Sequence, residues 1–219
     1  MPNSRATVLL TGFGPFPSVP ANATSLLVPR IADAARVAYP GIAFEVRTLP
    51  TEWAAGLAHL DDLYDSLAPT VALHFGVSSR ARGFEVEARG INRCAFVPDA
   101  AGFFPDTPTL SEDGADHLAS TVPVSAIVAR LRNRGLPAFV SRDAGAYLCN
   151  AALYSALDKA RRNARDDRIG FVHIPSSLVV DDRRPQFGPH PRCPLTWRQT
   201  IDGGVEIIGA TLGREAVRR

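Results

Sequence analysis

The chain has 219 residues, 46% of them hydrophobic and 21% charged, enough for a core that buries roughly 70% of the extended surface without a metal or disulfide staple. A net charge of +2 with ordinary apolar content excludes a disordered chain, and no apolar run approaches the 18 or so residues that a spanning helix needs. The 23 Arg and single Lys are scattered rather than gathered on one face or tail, which argues against nucleic acid as a partner.

The opening MPNSRATVLLTGFG lacks the charged start and the longer apolar region of a secretory signal, so a cytoplasmic location is expected. The length suits a single domain over 1–219. Residues 7–11 (TVLLT) form a short apolar run ended by Gly12, the pattern of a buried strand. Residues 22–37 repeat Leu26, Leu27, Ile31 and Ala34 at helical spacing, and 42–49 alternate as a second strand. Trp53, Leu57, Leu60 and Leu63 place an amphipathic helix over 51–67. A third strand covers 71–75, closed by Gly76.

The middle changes character. Residues 84–97 read as extended, followed by a long loop rich in Pro, Gly and Asp over about 99–118. A helix is expected at 122–134, a strand at 138–141, a helix at 146–162 and a strand at 169–174. A polar, Pro-rich stretch (181–194) then leads to a last helix over 195–213. Alternating strands and helices predict an α/β domain with a largely parallel sheet covered on both faces. Ligands in such folds bind beyond the carboxyl ends of strands, so the segments just after strand ends are where chemistry is expected.

Three Cys, at 94, 149 and 193, are an odd number with no zinc-site spacing. Cys149, in SRDAGAYLCN, falls within the first turn of a predicted helix, where free N–H groups and the helix dipole stabilise a thiolate and can face an oxyanion. It also shares an apolar stripe with Ala152 and Leu153, and on that local pattern alone a buried filler Cys is the favoured reading. His173 closes the strand in GFVHIP and suits a general acid and base. His74, at the end of another strand, competes with it; His59 and His117 look like solvated helix positions, and His190 lies in the Pro-rich loop.

Glu85 and Glu87, in FEVE, share one face of the predicted strand. One of them could orient an imidazole, or the pair marks a solvent face. Phe13 and Phe16 flank a Gly-Pro turn and either fold back into the core or line an apolar pocket. Gly12 and Gly14 lack the spacing of a phosphate loop, and no G-K-[ST] occurs.

Taken together, these blocks resemble the pyroglutamyl peptidase I (pyrrolidone-carboxylate peptidase) family of cysteine peptidases. TGFGPF is followed by Asn22 and Ser25; Gly76 precedes Glu87, and Asn92 stands five residues on; Pro98-Asp99, SRDAGAYLCN and FVHIP follow in order. The resemblance implies a three-layer α/β/α sandwich around a twisted, mixed, largely parallel sheet. It implies Cys149 as nucleophile, His173 as base and acid, and Glu87, chosen over Glu85 by its spacing to Asn92, as the group that orients His173. Phe13 and Phe16 would clasp the five-membered ring, with Asn22, Gly76 and Val77 completing the substrate site and the Cys149 N–H serving the oxyanion. It implies N-terminally pyroglutamylated peptides as substrate, no cofactor and no metal, no membrane, and a dimer or tetramer in the cytoplasm.

Some positions depart from the family pattern. Phe96 stands where an Arg is usual, Val77 where many members have Gln, VSSRARG lacks a second glycine, and residues 176–182 read SSLVVDD. Two other readings stay open: a thiol hydrolase of the same fold acting on another N-acyl or lactam-capped amine, and an inactive binding paralogue.

Overall fold

The computed structural model describes residues 6–16, 19, 21–178 and 193–216. In chain order the elements are β1 (Thr7–Phe13), α1 (Ala23–Ala38), β2 (Ala43–Leu49), α2 (Trp53–Leu67), β3 (Val71–Ser78), β4 (Phe84–Glu87) and β5 (Arg89–Ile91). Then come β6 (His117–Ala119), α3 (Val124–Asn133), β7 (Ala138–Ser141), α4 (Leu148–Arg162), β8 (Arg168–Pro175) and α5 (Trp197–Leu212). Six strands form one sheet in the order β2-β1-β3-β8-β4-β7. β1, β2, β3 and β8 run parallel, whereas β4 lies antiparallel to β8 and parallel to β7. β5 and β6 pair antiparallel as a separate ribbon.

Period-two alternation sorts the strand side chains onto two faces. Val8 and Leu10, Leu73 and Phe75, Phe84 and Val86, Val172 and Ile174 join Ile31, Ile127, Leu131 and Ile207 in one cluster, beneath α1, α3 and α5. Leu9, Ala72, Ile169 and Phe171 pack with Trp53, Leu60, Leu63, Leu148, Leu153 and Leu157 on the other side, beneath α2 and α4. The result is the expected α/β/α sandwich with a mixed, mostly parallel sheet. Each fully buried Leu, Ile or Phe contributes about 1.5–3 kcal/mol relative to exposure, which is why both faces must be covered.

The helix ends have identifiable causes. Asn22 caps α1 by accepting from the Thr24 N–H. α5 opens on a capping box between Thr196 and Gln199 and stops at Gly213, whose φ of 66° suits glycine. The N-cap of α2, Glu52, makes no side-chain cap bond. Asp99 from a distant loop replaces it by accepting from the Trp53 N–H at 2.8 Å.

Several expectations need correction. Gly12 and Gly76 do not end their strands: β1 runs on to Phe13 and β3 to Ser78. The extended segment at 84–97 breaks after Glu87, and only Arg89–Ile91 continues as strand. The long loop closes on β6, so His117 is an exposed strand residue rather than a helical one. His190 and most of the Pro-rich stretch at 181–194 lie outside the described residues. No helix among the described residues is long and apolar enough to cross a membrane.

Candidate active site

Residues 74 and 76 of β3, 171 and 173 of β8, and 85 and 87 of β4 share the sheet face that α4 covers, because alternation places them there. The amino end of α4 meets this face at the carboxyl ends of β3 and β8. Cys149 is the second residue of α4, where backbone N–H groups have no intrahelical acceptor. The N-cap, Tyr147, supplies no side-chain cap. A Cβ on Gly76 would stand 2.9 Å from Cys149 Sγ and 2.8 Å from the Phe171 ring, so only glycine lets the sulfur settle against β3.

The Cys149 sulfur and the His173 side chain line the same cleft, close enough for the sulfur to act electrostatically on the imidazole. His173 Nδ1 lies 2.8 Å from Glu87 Oε1. An ionised carboxylate only accepts, so Nδ1 carries a proton and donates to it, leaving Nε2 for the sulfur. Burial would push the His173 imidazole down, but the Cys149 sulfur and the Glu87 carboxylate outweigh it and lift it to about 10. Glu87 is fully buried. Its second oxygen has no hydrogen-bond partner among the described residues, so this carboxylate answers to His173 alone.

His74, the competing histidine, is committed to the core. Its Nδ1 lies 2.8 Å from Thr11 Oγ1 and its Nε2 lies 3.2 Å from the Tyr64 hydroxyl. Burial pushes it down to about 4, so it stays neutral.

A cleft of about 380 Å³ opens over Cys149 and His173. Phe13, Phe16, Val19, Thr51 and Tyr147 line one end; Ser79, Arg80, Glu85 and Asp143 line the other. Phe16 packs toward Tyr147 with ring centroids 6.3 Å apart, and Tyr147 meets Trp53 edge-on at 5.1 Å. Burial, Asp99 and Cys149 together raise the Tyr147 hydroxyl to about 12, so it remains protonated. Phe13 is almost wholly buried against Phe171, 6.3 Å away. A cysteine sulfur beside an imidazolium, a carboxylate behind it, helix N–H groups and an aromatic slot are the parts of an acyl-transfer site.

The pyroglutamyl peptidase family model matches residues 6–195. The chain is 40% identical over 171 residues to a pyrrolidone-carboxylate peptidase of Chromobacterium violaceum, covering 77% of each. It is 34% identical over 211 residues to pyrrolidone-carboxylate peptidase 1 of Ralstonia nicotianae, covering 95% of this chain and 94% of that one. This protein belongs to the pyroglutamyl peptidase family.

Solved structures show the same fold. Pyroglutamyl peptidase I of Bacillus amyloliquefaciens superposes with a TM-score of 0.79 at 24% identity, covering 97% of this chain and all of that one. A mutant pyrrolidone carboxyl peptidase of Pyrococcus furiosus gives 0.81 at 23% identity, covering 94% and 98%.

Within this pyroglutamyl peptidase fold, each expected site residue has a definite place. Cys149, His173 and Glu87 come together, and Phe13, Phe16, Asn22, Gly76 and Val77 all line the same cleft. Asn22, however, directs its polar atoms to the protein. Its oxygen accepts from the Thr24 N–H and hydroxyl, and its amide donates to Gly14 O at 3.1 Å. It shapes the loop that carries Phe16.

Phe96 is absent from the cleft lining. It is 77% exposed and stacks on Phe104 at 4.6 Å. Of the SSLVVDD segment, Ser176 lines the cleft, and residues 179–182 lie outside the described set.

Three supporting residues carry no signal in periodicity. Asn150, fully buried, accepts from the Ile91 N–H and donates to Ile91 O and Arg93 O. It thereby fixes the first turn of α4 against residues 91–93. Asn92 accepts from the Leu110 and Ser111 N–H groups and donates to Ser111 O, pinning the long loop. Asp99 accepts from Trp53, Ala101 and Phe103 N–H groups. Burial would raise its carboxyl, but these backbone bonds hold it below its ordinary value. The signal was their presence in the family motif, whereas their work is structural and visible only across distant segments.

Proposed function

We propose that this protein removes an N-terminal pyroglutamyl residue from peptides through a thioester intermediate. The carrying observation is the Cys149–His173–Glu87 series, with its buried 2.8 Å His173–Glu87 bond, beside an aromatic-walled cleft. Family membership supports the substrate, since the family is named for this activity.

Pyroglutamate has no free amine, so recognition must come from ring shape and a few hydrogen bonds. Phe13 and Phe16 hold the flat ring, and Gly76 and Val77 form the wall beside the sulfur. Cys149, as thiolate, attacks the acyl carbon, and the charge on the oxygen falls to the Cys149 N–H at the head of α4. His173 gives its Nε2 proton to the departing amine, the C–N bond breaks, and the thioester remains. His173 then takes a proton from water, which attacks the thioester and frees the acid and the thiolate. Glu87 keeps the imidazole oriented and favours its charged form.

We further read the chain as one domain that acts in the cytoplasm as a dimer or tetramer. The exposed rings of Phe96, Phe103 and Phe104 support association, and sedimentation equilibrium tests it.

The activity test is release of aminomethylcoumarin from its pyroglutamyl conjugate, beside alanyl and prolyl analogues, with reductant present. Selective cleavage that vanishes in Cys149→Ser is the expected result. No cleavage, or cleavage that survives Cys149→Ser, would overturn the assignment.

A further inference from the structure

We propose that Glu85 selects the residue that follows the pyroglutamyl group and favours a basic side chain there; this rests on the pyroglutamyl peptidase reading above. The cleft has two chemically different ends on either side of Cys149 and His173. The aromatic end, with Phe13, Phe16 and Tyr147, suits an uncharged ring. The departing amine must then point the other way, toward the residue that protonates it.

Glu85 stands at that point. It pairs directly with His173 across the antiparallel β4–β8 ladder. Directly opposed residues project to the same face with Cβ atoms about 4.5–5.5 Å apart. Glu87, two residues further along β4, reaches His173 from the buried side, and Glu85 faces the opening.

The opening also leads somewhere. A second, shallower depression shares Arg80, Glu85 and Asp143 with the catalytic cleft and continues past Phe139, Val140 and Ser141. These last three belong to β7, the edge strand of the sheet. Phe139 and Val140 are 42% and 46% exposed. A peptide leaving the cleft therefore meets a continuous groove, with Glu85 at the junction and apolar surface beyond it for the stem of a long side chain.

Charge decides which side chain. Arg80 and Asp143 neutralise each other through an ion pair of 3.3 Å. Glu85 has no ion pair or hydrogen bond from its side chain to any described residue. One unpaired, half-buried carboxylate at the mouth attracts a cation and repels an anion.

The test compares pyroglutamyl-lysine amide, pyroglutamyl-alanine amide and pyroglutamyl-glutamate amide, whose blocked ends leave the second side chain as the variable. Wild-type kcat/KM should favour the lysine over the glutamate amide by about fivefold to tenfold at low salt, the size expected for partly exposed charge pairs. The ratio should shrink in 0.5 M salt, where the Debye length is only about 4 Å. Glu85→Gln should bring the ratio close to one, and Glu85→Lys should invert it. Equal kcat/KM for all three amides in the wild type, or a ratio that persists in Glu85→Gln, overturns the role of Glu85 while leaving the peptidase reading intact. If no pyroglutamyl amide is cleaved at all, both fall. Should the variants fail to fold, a wild-type ratio close to one, or one that 0.5 M salt leaves unchanged, still overturns the role of Glu85.

Discussion

Replacing His74 by Gln should flatten the acid limb of the protein's stability. His74 is fully buried and its pKa is pushed from 6.5 down to about 4. Between those values the unfolded chain binds the proton and the folded chain does not. Stability contributed by neutral His74 is therefore present at neutral pH and is lost progressively as the pH falls from about 6.5 to about 4. Linkage gives a loss of about 2 kcal/mol between pH 7.5 and pH 5, growing to about 3 kcal/mol below pH 4. Gln keeps hydrogen-bonding atoms for Thr11 and Tyr64 but does not titrate. The assay is urea unfolding of both proteins at pH 7.5, 6.5, 5.5 and 5. The wild-type midpoint should fall by about 0.8 M more than that of His74→Gln over this range, for a slope of about 2.5 kcal/mol/M. His173 runs the other way, because its pKa is raised and its contribution is lost as pH rises. It is common to both proteins and cancels in the difference. Parallel midpoint curves for the two proteins would refute the reasoning, since they would mean that His74 titrates equally in folded and unfolded chains.

Three further substitutions probe the site and its supports. Gly76→Ala puts a methyl group 2.9 Å from Cys149 Sγ and against Phe171; displacement of the nucleophile should lower kcat/KM by about a hundredfold, with iodoacetamide labelling of Cys149 slowed in parallel. Asp99→Ala strips three backbone N–H groups of their acceptor, including the first of α2, and should cost about 1–3 kcal/mol in urea unfolding. Phe13→Ala should raise KM for the pyroglutamyl conjugate more than it lowers kcat; unchanged kinetics would return that ring to the core alone.

Much of the fold was legible because burial on both faces writes itself into the strands. TVLLT, VALHF and IGFVHI are apolar on every turn of the pleat, as a parallel sheet between two helical layers requires. The strand ends were less legible. Gly12 and Gly76 read locally as breakers, but both sit inside strands because something packs where a side chain would be. A Cβ on Gly12 would meet Thr24 O at 2.6 Å, and one on Gly76 would meet Cys149 Sγ at 2.9 Å. That close approach is tertiary, so no local rule records it. β6 was invisible for a related reason: three residues inside a segment that reads as loop, it pairs with the distant β5, and Asn92 and Asn150 hold the neighbouring segments in place.

The direction of β4 is where sequence reasoning met its limit, and it bears directly on the site. Alternation put Glu85 and Glu87 on one face, and an alternating strand most simply turns its charges to solvent. Here that face is covered by α4, so Glu87 is wholly buried. What separates the two carboxylates is register. Because β4 runs antiparallel to β8, advancing two residues along β4 moves backward along β8, from His173 toward Phe171. Glu87 therefore lies deeper than His173 and reaches its Nδ1, whereas Glu85 remains level with His173 at the mouth. Had β4 run parallel, the same sequence would have placed Glu87 toward the opening. Strand direction thus assigns one glutamate to the imidazole and leaves its neighbour free to face the peptide.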